Sequence, residues 1–394
     1  MRFTPLDKQQ RADWQAMLGC ADPAHIGAAA AMFFLSALAL PLCKFEAVAG
    51  LYLLYATVLY YMLTHSLAAL LAVAAPGIVL FGVSALAPAL PHPFLMPAVY
   101  TALVVGGVGG AFLLLHCREK KHLPLLLLPV AAYAIAGAVA GPYLGLLVLI
   151  PAALALVLGH GMLTCRPQTP VLVTLSLVLA ASGVIAFLVR CGLYGRLAGN
   201  PFTYLAEITQ SGIASVYRTA LDVYAAEGIV MPLSDTDVYN LSVMVANILP
   251  GLFFAGCGVL SFVIYRVYLR VLVAWGTLKR VPLRVGAMTV SPLAAALFLL
   301  SLTASAMAGM GLFGTVCENF ALVLEAPLVL VGVASLLGRG AQKRSTLSLL
   351  LLIGLAALLF NYPTLALNAA AVWGALRILL AAVLNLREGK NEKK

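Results

Sequence analysis

Residues 97–116 read PAVYTALVVGGVGGAFLLLH, twenty consecutive positions without an acid, a lysine or an arginine. A helix of about 20 apolar residues crosses the roughly 30 Å hydrocarbon layer of a bilayer. The stretch therefore reads as a transmembrane helix. Apolar runs of comparable length lie on both sides of it. Spans are expected near 26 to 43, 47 to 64, 66 to 86, 97 to 116, 123 to 139 and 142 to 162, then near 169 to 193, 237 to 265, 287 to 309, 319 to 337, 346 to 360 and 363 to 385. The expected fold is an all-α polytopic membrane protein of about twelve transmembrane helices. The tight hairpins at Lys44, His65 and Gly141 leave open that a pair of spans is one re-entrant element, which makes the count eleven.

Composition agrees. Of 394 residues 63% are hydrophobic and 10% charged, whereas soluble domains run near 45 to 50% apolar and about 25% charged. The length would admit two or three soluble domains, but the hydrophobic segments follow one another too closely to leave room for them. Met1 to Pro23 is polar and mixed in charge and lacks the apolar core of a cleavable signal. The first span is thus expected to serve as the membrane signal.

The net charge of +10 reflects orientation, because the basic residues sit in short loops and form no continuous face for nucleic acid. With the N-terminus inside, the inner segments collect 19 of the 24 Lys and Arg residues, including Lys120, Lys121, Arg166, Arg266, Arg270, Lys279 and Arg280. Outer segments hold Lys44, Arg190, Arg196 and Arg218, and Arg377 lies within a span. This is the asymmetry of the positive-inside rule, and it places both termini in the cytoplasm. The organisation read from it is a cytoplasmic segment 1–25, a front bundle 26–193 of about seven spans, an extracytoplasmic connector 194–236, a back bundle 237–386 of about five spans, and a basic cytoplasmic tail 387–394.

In the connector, Leu205, Ile208, Ile213, Val216, Ala220 and Tyr224 recur at roughly helical spacing, opposed by Glu207, Gln210, Arg218, Asp222 and Glu227. An amphipathic helix is expected, lying on the bilayer surface, capping a cavity or simply packing as a connector. Pro232 followed by Ser234 and Asp235 reads as a turn and N-cap for the next span.

In hydrocarbon an ionisable or amide side chain needs a partner, so it marks either a packing lock or a pathway. The back half holds most such residues. Asn240 and Asn247 share one helix face, with Pro250 one turn further, where a missing backbone bond kinks the span or opens a polar pocket. Ser301 and Ser305 are four apart on the next span. Glu318, Asn319 and Glu325 enter from the outer side, with Pro327 just beyond them. Asn361, Asn368 and Arg377 line the last span, Asn368 at a depth similar to Glu325 and Arg377 roughly 10 Å deeper. The candidate pathway or ligand set is Asn240, Asn247, Ser301, Ser305, Glu318, Glu325, Asn368 and Arg377. Its competing reading is interhelical hydrogen bonding that holds the bundle.

The front half offers a tyrosine-rich second span, Tyr52, Tyr55, Tyr60 and Tyr61, read either as a cavity lining or as an interfacial belt. Gly106 and Gly110 form Gly-x-x-x-Gly, and Gly27 with Ala31 makes a similar small pair; internal helix packing is the favoured reading over a subunit interface. His116, Cys117, His122, His160 and Cys165 gather near inner span ends. Their spacing matches no established metal site, and Lys120 and Lys121 would repel a cation, so no metal is expected. Seven cysteines without a Cys-x-x-Cys pair give no disulfide framework. Nucleotide-binding and hydrolytic signatures are missing, so no cofactor and no catalytic role is expected.

The order of features resembles the YybS-like family of bacterial multi-pass membrane proteins. The residues that carry the resemblance are the small stretch Gly27 to Ala31, the insert around Tyr204 to Glu227, the long span with Asn247 and Pro250, and the basic segment Arg266 to Arg284. That family's front half is similar to the S component of energy-coupling-factor vitamin transporters, whose first helix contacts a transmembrane partner through small residues four apart. The resemblance implies a partner subunit on Gly27 and Ala31, or on Ala24 and Ala28, in a bacterial plasma membrane. The additional back-half spans depart from a stand-alone S component. The expected function is a transporter-like or small-molecule-binding membrane component; the alternative is a non-transporting scaffold of the cell envelope.

Overall fold

The computed structural model describes residues 22–43, 46–64, 94–117, 120–164, 166–193, 201–228, 234–278, 290–308, 311–336, 354 and 362–391. No strand occurs among them. The helices are α1 (Pro23–Leu42), α2 (Glu46–Thr64), α3 (Leu95–His116), α4 (Leu128–Ala140, entered through a 3-10 stretch Lys120–Leu127) and α5 (Pro142–Leu163, with a 3-10 turn at Leu146–Val148). They continue as α6 (Gln168–Leu193), α7 (Pro201–Ala226), α8 (Asp235–Ala274), α9 (Pro292–Ala308), α10 (Leu312–Leu336) and α11 (Pro363–Asn391).

Eight helical segments among the described residues are long and apolar enough to cross a membrane: α1, α3, His122–Ala140, α5, α6, α8, α10 and Thr364–Leu384 of α11. Glu46–Tyr61 and Pro292–Ala308 are shorter apolar helices. The spans expected near 66 to 86 and 346 to 360 lie outside the described residues, apart from Gly354.

Two compact units divide the chain. Unit 1 holds residues 1–246 and 260–281, and unit 2 holds 247–259 and 282–394. The helix α8 runs 40 residues, longer than the expected span ending near 265; its middle belongs to unit 2 and its ends to unit 1.

In unit 1, α3 is the central helix, and its sequence explains why. It is apolar on every side, so no face has to meet solvent, and its glycines let neighbours approach closely. A Cβ built on Gly106 would lie 2.9 Å from Ser36 of α1 and 3.2 Å from Pro151 of α5. One on Gly110 would lie 2.5 Å from the Phe33 ring of α1 and 2.7 Å from Ala155 of α5. The Gly-x-x-x-Gly pair is thus used for packing inside the chain. The far end of α8 covers another side of α3: Tyr268 Oη donates to the Ala111 carbonyl at 3.4 Å, and Trp275 meets Phe112 edge-on at 4.5 Å. Trp275 also stacks on His25 at 5.0 Å. The start of α1 and the ends of α3 and α8 therefore share one end of unit 1.

The second-span tyrosines separate by position. Tyr52 and Tyr60 are buried, whereas Tyr55 and Tyr61 are exposed. The Tyr52 hydroxyl and the Ser36 hydroxyl, both buried, hydrogen-bond at 2.7 Å and tie α2 to α1. Between α4 and α5, Gly141 adopts φ 99°, a left-handed conformation that glycine takes at little cost.

The expected N-cap at Ser234 is present as a reciprocal box. Ser234 Oγ accepts from Asp237 N at 3.2 Å, and Ser234 N donates to Asp237 Oδ2 at 3.0 Å. This satisfies backbone donors that every helix start leaves open. At the other end Gly276, φ 71°, stops α8 after Trp275. The connector contains the expected helix, α7, whose Ile208, Val216 and Tyr224 remain exposed. The ring of Phe187 in α6 stacks with Tyr204 of α7 at 6.3 Å.

Candidate functional site

Unit 2 contains seven of the eight candidate residues; Asn240 lies on the part of α8 that belongs to unit 1. Its organising feature is the Pro250 turn of α8. Proline has no N–H, so the carbonyl four residues back, that of Ala246, loses its helical donor. One residue further, the groups that a regular helix pairs are the Gly251 N–H and the Asn247 carbonyl. Both are taken up by one side chain from α10. Asn319 Nδ2 donates to the Asn247 carbonyl at 2.8 Å, and Asn319 Oδ1 accepts from the Gly251 N–H. The second Nδ2 proton goes to the Thr315 carbonyl, also at 2.8 Å.

The carboxamide of Asn319 thus lies across the turn like an additional peptide group. Glycine at 251 permits this, because a Cβ there would stand 2.7 Å from Asn319 Oδ1 and 2.9 Å from its Cα. Asn319 stood among the polar residues of the sequence but outside the candidate set. The available signal was an amide in the span following a Pro-Gly break, in a setting where every freed backbone group needs a protein partner.

The other candidates are arranged as follows. Glu325 is half-buried on α10, six residues beyond Asn319, about 9 Å along the axis by helix rise. Asn368 on α11 and Ser301 and Ser305 on α9 are also half-buried, and Ser305 Oγ donates to the Leu302 carbonyl of its own helix at 3.1 Å. Asn240, Asn247, Glu318 and Arg377 are exposed. Among the described residues no hydrogen bond or ion pair joins the side chains of two of these eight. Asn361 lies outside the described residues.

Close glycine packing joins α10 to α11. A Cβ on Gly332 would collide with the Ala370 carbonyl oxygen and lie 3.2 Å from Gly374 N, and one on Gly374 would collide with the Leu328 carbonyl oxygen. Beside this crossing Trp373 Nε1 donates to Ser335 Oγ at 2.9 Å. An apolar cluster of Ala295, Phe298, Ala321, Leu328, Ala371 and Ala375 binds α9, α10 and α11 together.

Among the described residues no group of three or more His, Cys, Asp or Glu stands ready to hold a metal ion. His116 Nδ1 lies 2.8 Å from the Phe112 carbonyl, and Cys117 Sγ donates to the His122 carbonyl at 3.5 Å. Cys165 is outside the described residues. Among the described residues, Cys43, Cys117, Cys191, Cys257 and Cys317 are not in disulfides.

Long apolar helices, glycine crossings and an internally satisfied proline break define a helical membrane protein. No family model matches the chain, and no curated protein and no solved structure matches it.

Proposed function

We propose that the chain is a transporter-like or small-molecule-binding membrane component with a solute or proton route through unit 2. The observation that carries this reading is the Asn319 carboxamide seated across the Pro250 turn of α8. Interrupted helices at membrane depth are tolerated where protein or a polar cavity receives their freed groups, and secondary transporters place substrates at such breaks. Glu325 follows on the same helix, half-buried in an apolar run, where an ionisable group is costly and marks a pathway.

Twelve spans with both termini in the cytoplasm of a bacterium belong to this proposal, as does a partner subunit seated on Gly27 and Ala31. Two observations support the orientation. Cationic residues concentrate on one set of loops. His25, His116 and Trp275, assigned to inner span ends, surround one aromatic cluster with Phe112. Among the described residues, a Cβ on Gly27 would meet no atom within 4 Å, which supports access for a neighbour.

Thermal screening in mild detergent tests the route. A ligand at 100 times its Kd stabilises a protein by about 2.7 kcal/mol, so pooled metabolites are expected to contain a compound that raises the wild-type unfolding temperature. Glu325→Gln, at normal yield, is expected to lose most of that shift. Equal shifts in both proteins would remove Glu325 from the route. The absence of any shift in either favours the alternative, a non-transporting scaffold of the cell envelope.

A further inference from the structure

Where α3, α5 and α6 meet at one end of unit 1, they line an open cleft of about 350 Å³. Its walls are aliphatic: Leu114 of α3, Leu156, Val157 and Leu163 of α5, and Val171 of α6. His160 of α5 and Thr174 of α6 also line it, and Arg166 does so from the loop between those helices, at the end of the cavity. No carboxylate lines it. The Thr174 hydroxyl is committed to the Pro170 carbonyl at 2.8 Å, which leaves the imidazole and the guanidinium as the charged or chargeable donors. Arg166 is fixed at that end of the cavity through its own backbone, its N–H donating to the Gly161 carbonyl at 2.9 Å.

We infer that this cavity holds one acyl chain of an anionic phospholipid, with the phosphate at Arg166 and His160. The walls and the rim make different demands, and a phospholipid meets both. From Leu156 to Leu163 the apolar wall runs roughly 10 Å by helix rise, a depth contained within one leaflet of a hydrocarbon core about 30 Å thick. Water gains no hydrogen bonds from such walls, and a free phosphate has nothing to occupy them. At the rim, a guanidinium without an acidic neighbour among the cavity residues complements a phosphate, which it binds with paired N–H donors. Basic pockets between spans are places where anionic headgroups settle.

Native mass spectrometry of delipidated protein tests the assignment with three probes: phosphatidylglycerol, phosphatidylcholine and inorganic phosphate. Wild-type protein is expected to retain one phosphatidylglycerol in preference to phosphatidylcholine. Arg166→Gln, a change at an exposed position, is expected to weaken that retention roughly fivefold, the effect of one basic residue near an anionic headgroup. Arg166→Lys should restore most of it. Thr174→Trp, which adds bulk to the lining of the cavity, should lower retention of both lipids. Equal retention of both lipids by the wild type, or unchanged retention in Arg166→Gln, would overturn the assignment. Binding of inorganic phosphate as tight as that of phosphatidylglycerol would also overturn it, by showing an ion site without a chain. If Thr174→Trp does not fold, the comparison of Gln with Lys at position 166 decides.

Discussion

Gly374→Leu is expected to lower the apparent unfolding temperature in detergent by about 10 °C or more. The reason is geometric. Even a Cβ at this position would strike the Leu328 carbonyl oxygen and come within 3.0 Å of Gly332 N. These are backbone atoms of a hydrogen-bonded helix and have no rotamer by which to move aside. Overpacking a tight core costs about 1 to 3 kcal/mol when side chains can adjust, and here α10 and α11 must separate instead. Separation would also part Trp373 from Ser335. Gly258→Ala is the control, because a Cβ there meets nothing within 4 Å among the described residues. That change is expected to be neutral or slightly stabilising, since alanine exceeds glycine as a helix former by up to about 1 kcal/mol.

Asn319→Leu is expected to cost about 2 kcal/mol, chiefly through loss of the two of its three side-chain hydrogen bonds that cross to the α8 backbone. Leucine is close to asparagine in size, so the experiment removes polarity more than volume. If the Gly251 N–H and the Asn247 carbonyl recovered each other, the cost would fall towards zero, and the turn would be regular rather than bridged. Pro250→Ala gives the second arm. It supplies the missing N–H and lets α8 close its ladder, so the penalty of Asn319→Leu should shrink when the two changes are combined. Coupling of this kind between contacting sites is what a double-mutant cycle measures. Independent, additive effects would contradict the bridge.

These two crossings also show where sequence reasoning succeeds and where it stops. The apolar run 97–116 announced a membrane-spanning helix because it is long and uncharged, and its paired glycines announced close packing because their spacing repeats along one face. The N-cap at Ser234 and the amphipathic helix around Tyr204 to Glu227 were legible for a similar reason, since both are patterns within a few turns of chain. Gly332 and Gly374 carry no local pattern. Neither belongs to a Gly-x-x-x-Gly pair, and their meaning comes from the approach of α10 to α11.

Asn319 lay between the two cases. Its presence in an apolar stretch and the break at Pro250 were both visible, but the link between them spans 68 residues from Gly251, and no periodicity reports it. The extent of α8 was hidden too. Hydropathy reports the part of a helix that suits lipid, whereas α8 continues past Arg266 and Arg270 to Ala274, with Val267, Tyr268 and Leu269 between the arginines buried.

The central claim is that the chain crosses a bilayer repeatedly, with its basic hairpins on the inner face and the α7 connector outside. Single cysteines placed in a cysteine-free background and treated with a membrane-impermeant thiol reagent test it most directly. Asp222→Cys should label in intact cells, whereas Lys120→Cys and Arg280→Cys should label only after the membrane is opened. Labelling of Lys120→Cys or Arg280→Cys from outside intact cells, or recovery of all three proteins in a lipid-free soluble fraction, would contradict it.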